Sequence, residues 1–337
     1  MGLCCSTKKQ KKELTIEDFE ILKVIGQGQS SKVYLVQNKE DEEYFAMKSI
    51  PKTFIKDQNQ FERLQTERDA LINLNSPFIV NLWHAFQTNE YLCFILDFVN
   101  GGEMYTYLNS RSQFSENRIK LYAAEIILAL KNIHELGLVY RDLKPENLLI
   151  DKNGHIRLTD FGISKFIATQ KANSFCGSLE YIAPEVWQHD SYGIEVDFWC
   201  LGTVIYEMKY KMPPFYSTNL REMQNKILNG NPKFDENCSV ELHDLIQKLL
   251  TKDPKQRLGT KSIREIMEHT FFSDLDWEKV EKQEIIPEFI PQVKDSSDTS
   301  CIDSQFLNQP IFEFHILPDI VKMDQNMFGG FSFSKFK

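Results

Sequence analysis

The run Tyr140-Arg141-Asp142-Leu143-Lys144-Pro145-Glu146-Asn147 sets a carboxylate, a lysine and an amide at short fixed spacing, and Asp160-Phe161-Gly162 adds a second carboxylate before a glycine. Transfer of a phosphoryl group from a magnesium-bound nucleotide to a hydroxyl requires such a set of side chains. Upstream, Gly26-Gln27-Gly28-Gln29-Ser30-Ser31-Lys32-Val33 lies between two β-type runs. Glycines there let backbone amides approach phosphate oxygens without a Cβ in the way. In isolation a G-x-G pair reads as a simple hairpin turn. The strand-turn-strand order excludes a Walker A loop, which needs strand-turn-helix and G-K-[ST].

The elements that must carry these groups are legible in outline. Runs at Phe19 to Ile25, Lys32 to Val36 and Tyr44 to Ile50, bounded by glycines and by the acidic patch Glu40 to Glu43, predict hairpin strands. Lys48 stands out because its run is otherwise apolar. A helix around Gln58 to Asn73 and strands at Ile79 to Phe86 and Tyr91 to Phe98 complete a small β-rich lobe. After Gly101-Gly102, Ile119, Tyr122, Ile126, Leu130 and Ile133 recur at three- and four-residue steps behind the candidate N-cap Ser115, which predicts a long buried helix. Helical patterns continue to about Phe272. Residues 273–337, with four prolines and a Ser/Asp-rich patch from Asp295 to Ser304, read as an extended tail that wraps a domain.

The chain has 337 residues, 42% hydrophobic and 26% charged, enough for a large domain or two lobes with real cores. A net charge of −9 argues against wholesale nucleic-acid binding. The seven cysteines form no C-x-x-C pair, so a disulfide framework or zinc site is not expected and a reducing cytosol is the natural compartment. No apolar run approaches the roughly 20 residues that span a bilayer, and no signal-peptide pattern occurs.

Together these motifs resemble the eukaryotic protein kinases over residues 19–337. Ser174-Phe175-Cys176-Gly177-Ser178, Pro287-Glu288-Phe289-Ile290-Pro291, Asp298-Thr299-Ser300-Cys301-Ile302-Asp303 and Phe328-Gly329-Gly330-Phe331-Ser332-Phe333 are similar to segments of the AGC group, in its protein kinase B-like form with a C-terminal hydrophobic motif. The resemblance implies an α+β, bilobal protein-kinase fold. It divides the chain into a tether at 1–17, a kinase domain at 18–272 and a C-terminal tail at 273–337. It also implies ATP and Mg2+ as cofactors. In this frame Asp142 accepts or orients the proton of the acceptor hydroxyl, Lys144 steadies the transferred γ-phosphoryl group, and Asn147 and Asp160 hold Mg2+. Lys48 reaches the α- and β-phosphates, oriented by Glu67 or by Glu62 of the same helix. Ile25, Gly26, Gln27, Gly28, Gln29, Ser30, Ser31, Lys32 and Val33 follow the nucleotide; Ala46, Leu96, the hinge from Asp97 to Val99, and Leu149 line the adenine slot. Ser31 stands where the third glycine is usual. Folding is then expected to gather Lys48, Asp142, Asn147 and Asp160 around one metal-bound triphosphate.

The resemblance places Ser174 in the activation-loop acceptor position, where a phosphate added by an upstream kinase would pair with Arg141. Ser332 is the matching site of the hydrophobic motif, whose two aromatics would enter an apolar groove beside the Glu67 helix. Glu185 is expected to pair with Arg257, bracing the larger lobe. Glu103, Glu146 and Glu207 imply protein substrates with arginine shortly before the acceptor, and Ser178 favours Ser/Thr acceptors. Leu179 replaces a usual proline, Ile302 a usual phenylalanine, and Leu317-Pro318 stands where a Ser/Thr-Pro phosphosite is common. At the N-terminus, Met1-Gly2-Leu3-Cys4-Cys5-Ser6 fits a myristoylation pattern on Gly2. Palmitoylation of Cys4 and Cys5 and the lysines at 8, 9, 11 and 12 would supply the second signal that stable anchoring needs. The expected location is cytoplasmic, on a membrane surface through acyl chains; the plainer reading is a polar start that happens to begin Met-Gly. A non-catalytic adaptor on the same fold is the competing activity, and the intact Lys48, Asp142, Asn147 and Asp160 favour the enzyme.

Overall fold

The computed structural model describes residues 14–28, 30–110, 113–167, 172, 174–311 and 325–335. The first half runs β1 (Phe19–Gln27), β2 (Lys32–Asn38), β3 (Tyr44–Pro51), α1 (Gln58–Asn73), β4 (Leu82–Gln87), β5 (Tyr91–Asp97), α2 (Met104–Leu108), α3 (Glu116–Glu135), β6 (Leu138–Val139), β7 (Leu148–Ile150), β8 (Ile156–Leu158) and β9 (Lys165–Phe166). There follow α4 (Pro184–Trp187), α5 (Glu195–Tyr210), α6 (Leu220–Asn229), α7 (Val240–Leu249), α8 (Arg264–Met267), α9 (Trp277–Glu281), α10 (Ser304–Leu307) and β10 (Phe333–Ser334). The chain divides into two units: Met1–Lys56 with Leu82–Phe98 and Gln305–Lys337, and Asp57–Asn81 with Val99–Ser304.

The first unit is an antiparallel sheet in the order β1-β2-β3-β5-β4-β10. Strand alternation puts Phe45 and Met47 of β3, and Cys93 and Ile95 of β5, into one buried cluster with Phe19, Val24, Tyr34, Val36 and Phe86. Phe306 of the tail packs on this cluster. The last strand, β10, closes the β4 edge, pairing Phe333 with Ala85 and Ser334 with His84. Just before it, Phe328 and Phe331 are fully buried, and Phe331 meets Phe94 of β5 edge-on at 5.2 Å. The hydrophobic motif is thus seated on β4 and β5, and Ser332 remains exposed.

In the second unit α3 is buried along the predicted stripe, with Ile119, Tyr122, Ile126, Leu130 and Ile133 all at 0% exposure. Ser115 caps it, its hydroxyl accepting from the Arg118 amide at 3.0 Å. The predicted Glu185–Arg257 pair forms with both side chains buried: two parallel guanidinium bonds of 2.7 and 2.8 Å. Among the described residues no helix is long and apolar enough to cross a membrane.

Three boundaries differ from the sequence-based expectation. The helix Gln58–Asn73 forms as predicted but belongs to the second unit, because its buried face carries Glu67 towards Gly162. The apolar run from Ile79 to Phe86 is not one strand. Residues 78–80 pair with Leu158 of β8, while Leu82–Gln87 forms β4; an unbroken apolar run carries no mark of where its pairing partner changes. The tail is divided: it belongs to the second unit through Ser304 and to the first from Gln305.

Candidate active site

The loop between β6 and β7 carries the chemistry-bearing residues of the second unit. Its backbone is held from below by Asp197 of α5. This fully buried carboxylate accepts from the amides of Tyr140 (2.9 Å) and Arg141 (2.8 Å) and sits 2.8 Å from His134 Nε2. Those bonds fix Arg141 at φ +72°, a conformation a non-glycine residue keeps only when its surroundings impose it. Asp197 was not singled out from the sequence. Its signal is a lone carboxylate in the apolar run Val196 to Leu201, which must find donors when buried.

Asp142, Lys144 and Asn147 converge. Lys144 Nζ lies 2.8 Å from Asp142 Oδ2, and Asn147 Nδ2 donates to Asp142 Oδ2 at 2.9 Å and to its carbonyl at 2.8 Å. Ser178 Oγ accepts from Lys144 at 3.0 Å and stands 3.5 Å from Asp142 Oδ1. The carboxylate therefore has one oxygen occupied by two donors. The other, among the described residues, has only the long Ser178 contact.

The β7–β8 hairpin places Asn147 and Asp160 at its open end. Leu148 pairs with Leu158, and the Thr159 amide donates to the Asn147 carbonyl at 3.0 Å. Asp160 has φ +58° and accepts from the Gly162 amide at 3.2 Å. A Cβ added at Gly162 would lie 3.2 Å from Asp160 Oδ1 and 3.6 Å from Glu67 Oε2, so Glu67 faces this segment. Glu67 is buried, whereas Glu62 on the same helix is exposed. One amide oxygen and one carboxylate suit Mg2+, a hard cation that takes one or two protein carboxylates and completes its shell with phosphate and water. Among the described residues no group of three or more His, Cys, Asp or Glu is placed to hold a metal ion by itself.

Three acids sit in the same unit. Burial, then Glu146 and Asp303, push the Glu103 carboxyl up to about 7. Burial aided by Glu146 and Glu180 takes Glu207 to about 7 against the Tyr181 hydroxyl that donates to it at 2.5 Å. Glu146 is also raised by burial. The Glu146 charge raises both Glu103 and Glu207, while Lys144 draws Glu146 itself down.

Arg141 reaches into the activation segment. Its Nη1 donates to Ser174 Oγ at 2.8 Å and to Tyr192 OH at 3.2 Å, and its remaining guanidinium nitrogens bond the Ile163 carbonyl. Tyr192, which the sequence reading missed, donates to the Ser174 carbonyl at 2.8 Å. Leu179, in place of proline, is partly exposed at the start of a short 3-10 turn.

On the first unit, Gly26 and Gln27 end β1, Lys32 and Val33 begin β2, and the turn closes through Gly28 N to Ser31 O at 2.9 Å. Lys48 lies on β3 opposite Phe94, with Ala46 opposite Leu96 on β5. Asp97 ends β5, and its carboxylate accepts from the Trp83 indole at 2.7 Å. Val99 and Leu149 belong to the second unit, where Leu149 bridges Glu103. Gln29, Gly2, Cys4 and Cys5 lie outside the described residues.

Comparison with known proteins follows the same lines. The family model described as protein kinase domain matches residues 19–272. The chain is 44% identical over 330 residues, 96% of its length and 69% of the relative's, to "Protein kinase 2" of Dictyostelium discoideum. It is 43% identical to a "RAC family serine/threonine-protein kinase homolog" of the same organism, over 89% of this chain and 68% of the relative. To "Serine/threonine-protein kinase sgk-1" of Caenorhabditis elegans it is 42% identical, over 92% and 68%.

Proposed function

This chain belongs to the protein kinase family and is a serine/threonine protein kinase of the AGC group, and on that footing we propose how its own residues divide the work. The family uses ATP and Mg2+; bound metal would neutralise phosphate charge as the phosphoryl group transfers. Lys48, the glycine-rich segment, Ala46, Leu96 and Asp97 supply the nucleotide-facing groups of the first unit. Asn147 and Asp160, in the second unit, supply the oxygen ligands. Asp142 takes the acceptor proton on Oδ1. Its Oδ2 is held by Lys144 and Asn147, which leaves Oδ1 for the incoming hydroxyl. That division of the two oxygens is the observation that carries the reading.

A phosphate on Ser174 would find Arg141 already within bonding distance and would convert a hydrogen bond from a cation to a neutral hydroxyl into an ion pair. Ser332, exposed beside its two buried phenylalanines, is the second regulatory site. A peptide array run on protein with and without Ser174 phosphate tests this reading. Phosphorylated protein is expected to transfer phosphate to Ser/Thr peptides with upstream arginine at a rate at least about tenfold higher. Equal rates would remove Ser174 from the control of activity.

Glu103, Glu146 and Glu207 receive that arginine. An approaching guanidinium favours their ionised form, so recognition is present above about pH 7 and lost as pH falls through it. KM for an arginine-containing peptide is expected to fall several-fold between pH 6 and pH 8. A matched peptide with alanine at that place should show a flat profile; parallel profiles would exclude these acids.

At the N-terminus, the Met1 to Ser6 pattern supports acylation of Gly2, with Cys4 and Cys5 as further acyl sites and a membrane surface as partner. Mass spectrometry of the native N-terminal peptide is expected to show a myristoyl mass on Gly2, and a free or acetylated glycine would overturn it.

A further inference from the structure

From the contacts of Tyr192 we infer that this is a positioning residue: it seats the activation segment beside Asp142 before any phosphate is added, and so gives the unphosphorylated chain a basal rate of transfer. Tyr192 lies between α4 and α5 and is 1% exposed. Its main chain forms an antiparallel bridge with Ala172. The Ala172 amide donates to the Tyr192 carbonyl at 2.9 Å, and the Tyr192 amide donates to the Ala172 carbonyl at 2.8 Å. The Tyr192 hydroxyl donates to the Ser174 carbonyl at 2.8 Å and accepts from Arg141 Nη1 at 3.2 Å. A phenol has one proton to give, and burial raises its pKa above the usual value, so it stays a donor. Three hydrogen bonds thus hold the main chain at Ala172 and Ser174, all inside the second unit, and none of them needs a phosphate.

The seat matters because the next residues lie along the loop that carries Asp142. Gly177 has φ +104°, and a Cβ there would stand 3.1 Å from the Arg141 carbonyl oxygen, so the main chain passes close against this loop. One residue on, Ser178 Oγ accepts from Lys144 at 3.0 Å and stands 3.5 Å from Asp142 Oδ1. A segment that leaves Tyr192 takes Ser178 away from both. Arg141 also donates to Ser174 Oγ at 2.8 Å, and this bond to a hydroxyl is the contact a phosphate strengthens. Tyr192 and a Ser174 phosphate therefore hold the same segment by different atoms, the first through its main chain and the second through its side chain. Each makes the other partly redundant, so loss of the Tyr192 hydroxyl shows most where phosphate is absent. This role rests on the reading of Ser174 given above.

The test uses the full chain, wild type and Tyr192→Phe, each with serine or with phosphoserine incorporated at Ser174. Transfer is measured with saturating Mg-ATP and an arginine-containing peptide. Tyr192→Phe keeps the buried ring and the backbone bridge and removes only the hydroxyl. Without phosphate it is expected to lower kcat about 3–10-fold, the range of one lost hydrogen bond. With phosphate the loss is expected to stay below about twofold. Stimulation by phosphate thus grows in the variant, which a merely structural role would not produce. Equal losses in the two forms, no loss in the unphosphorylated form, or an unphosphorylated wild type with no transfer at all would overturn the inference. If Tyr192→Phe does not fold, hydrogen exchange on the unphosphorylated wild type decides. The Ala172 amide is expected to be protected there, and exchange at the open-chain rate rejects the seat. The wild type separates the premises. Equal rates with and without phosphate would refute the regulatory reading of Ser174 and the inference with it, whereas a phosphate effect that Tyr192→Phe leaves unchanged would refute only the role of Tyr192.

Discussion

Asp142→Ala is expected to lower phosphate transfer by at least about 10³-fold while Mg-ATP still binds, because a positioned general base typically contributes 10²–10⁴-fold. Removal of this carboxylate also strips Lys144 and Asn147 of their shared acceptor at 2.8 and 2.9 Å. The Asn147 bond to the Asp142 carbonyl survives the change, so the loop keeps part of its geometry. Asp142→Asn is the sharper comparison. It preserves size and most hydrogen bonding but cannot take a proton from the acceptor, and should lose nearly as much. Both effects belong in kcat, read by single-turnover transfer to an arginine-containing peptide, with nucleotide affinity measured separately. An Asp142→Ala protein that retained full transfer would remove this residue from the mechanism. Such an outcome would leave the fold untouched and require another base.

The second large effect is on stability. Arg257→Ala is expected to cost about 3–5 kcal/mol, the range for breaking a buried ion pair by removing one partner. Arg257 is 1% exposed and Glu185 3%, so alanine strands a carboxylate with no water to replace its donors. The same guanidinium also donates to the carbonyls of Thr251 and Glu195, at 3.1 and 2.8 Å. It therefore joins α4 and the first residue of α5 to the loop after α7. Urea unfolding should show the loss as a lower midpoint. Glu185→Leu combined with Arg257→Met should cost less than the sum of the single changes, since no charge is then buried alone. Simple additivity would show that the two side chains do not act as a pair.

How much of this was legible in advance depended on whether a signal is local. The periodicity of Ile119 to Ile133 and the capping serine gave α3, and the helix Gln58–Asn73 formed within its expected bounds. Gly-bounded β runs gave β1, β2 and β3 to within two residues at their ends. The Asp142 to Asn147 cluster was legible because its members are neighbours in the chain and meet through one loop. Asp197, Tyr192 and Trp83 were not. Each acts on residues far along the chain, and nothing beside it in sequence marks what it will touch.

Residue types and short-range spacing, through the resemblance they carry to the protein kinases, marked this chain as a phosphate-transferring enzyme, and hydrophobic periodicity set where most helices and strands form. Those are properties of chemistry and of backbone periodicity, both written locally. Only the tertiary structure decided which oxygen of Asp142 is held by Lys144 and Asn147, that a buried aspartate on α5 shapes the loop carrying Asp142, and that the tail ends as the sixth strand of the β1–β5 sheet. Long-range contacts form wherever buried polar groups and open strand edges find partners, and that pairing depends on the folded whole.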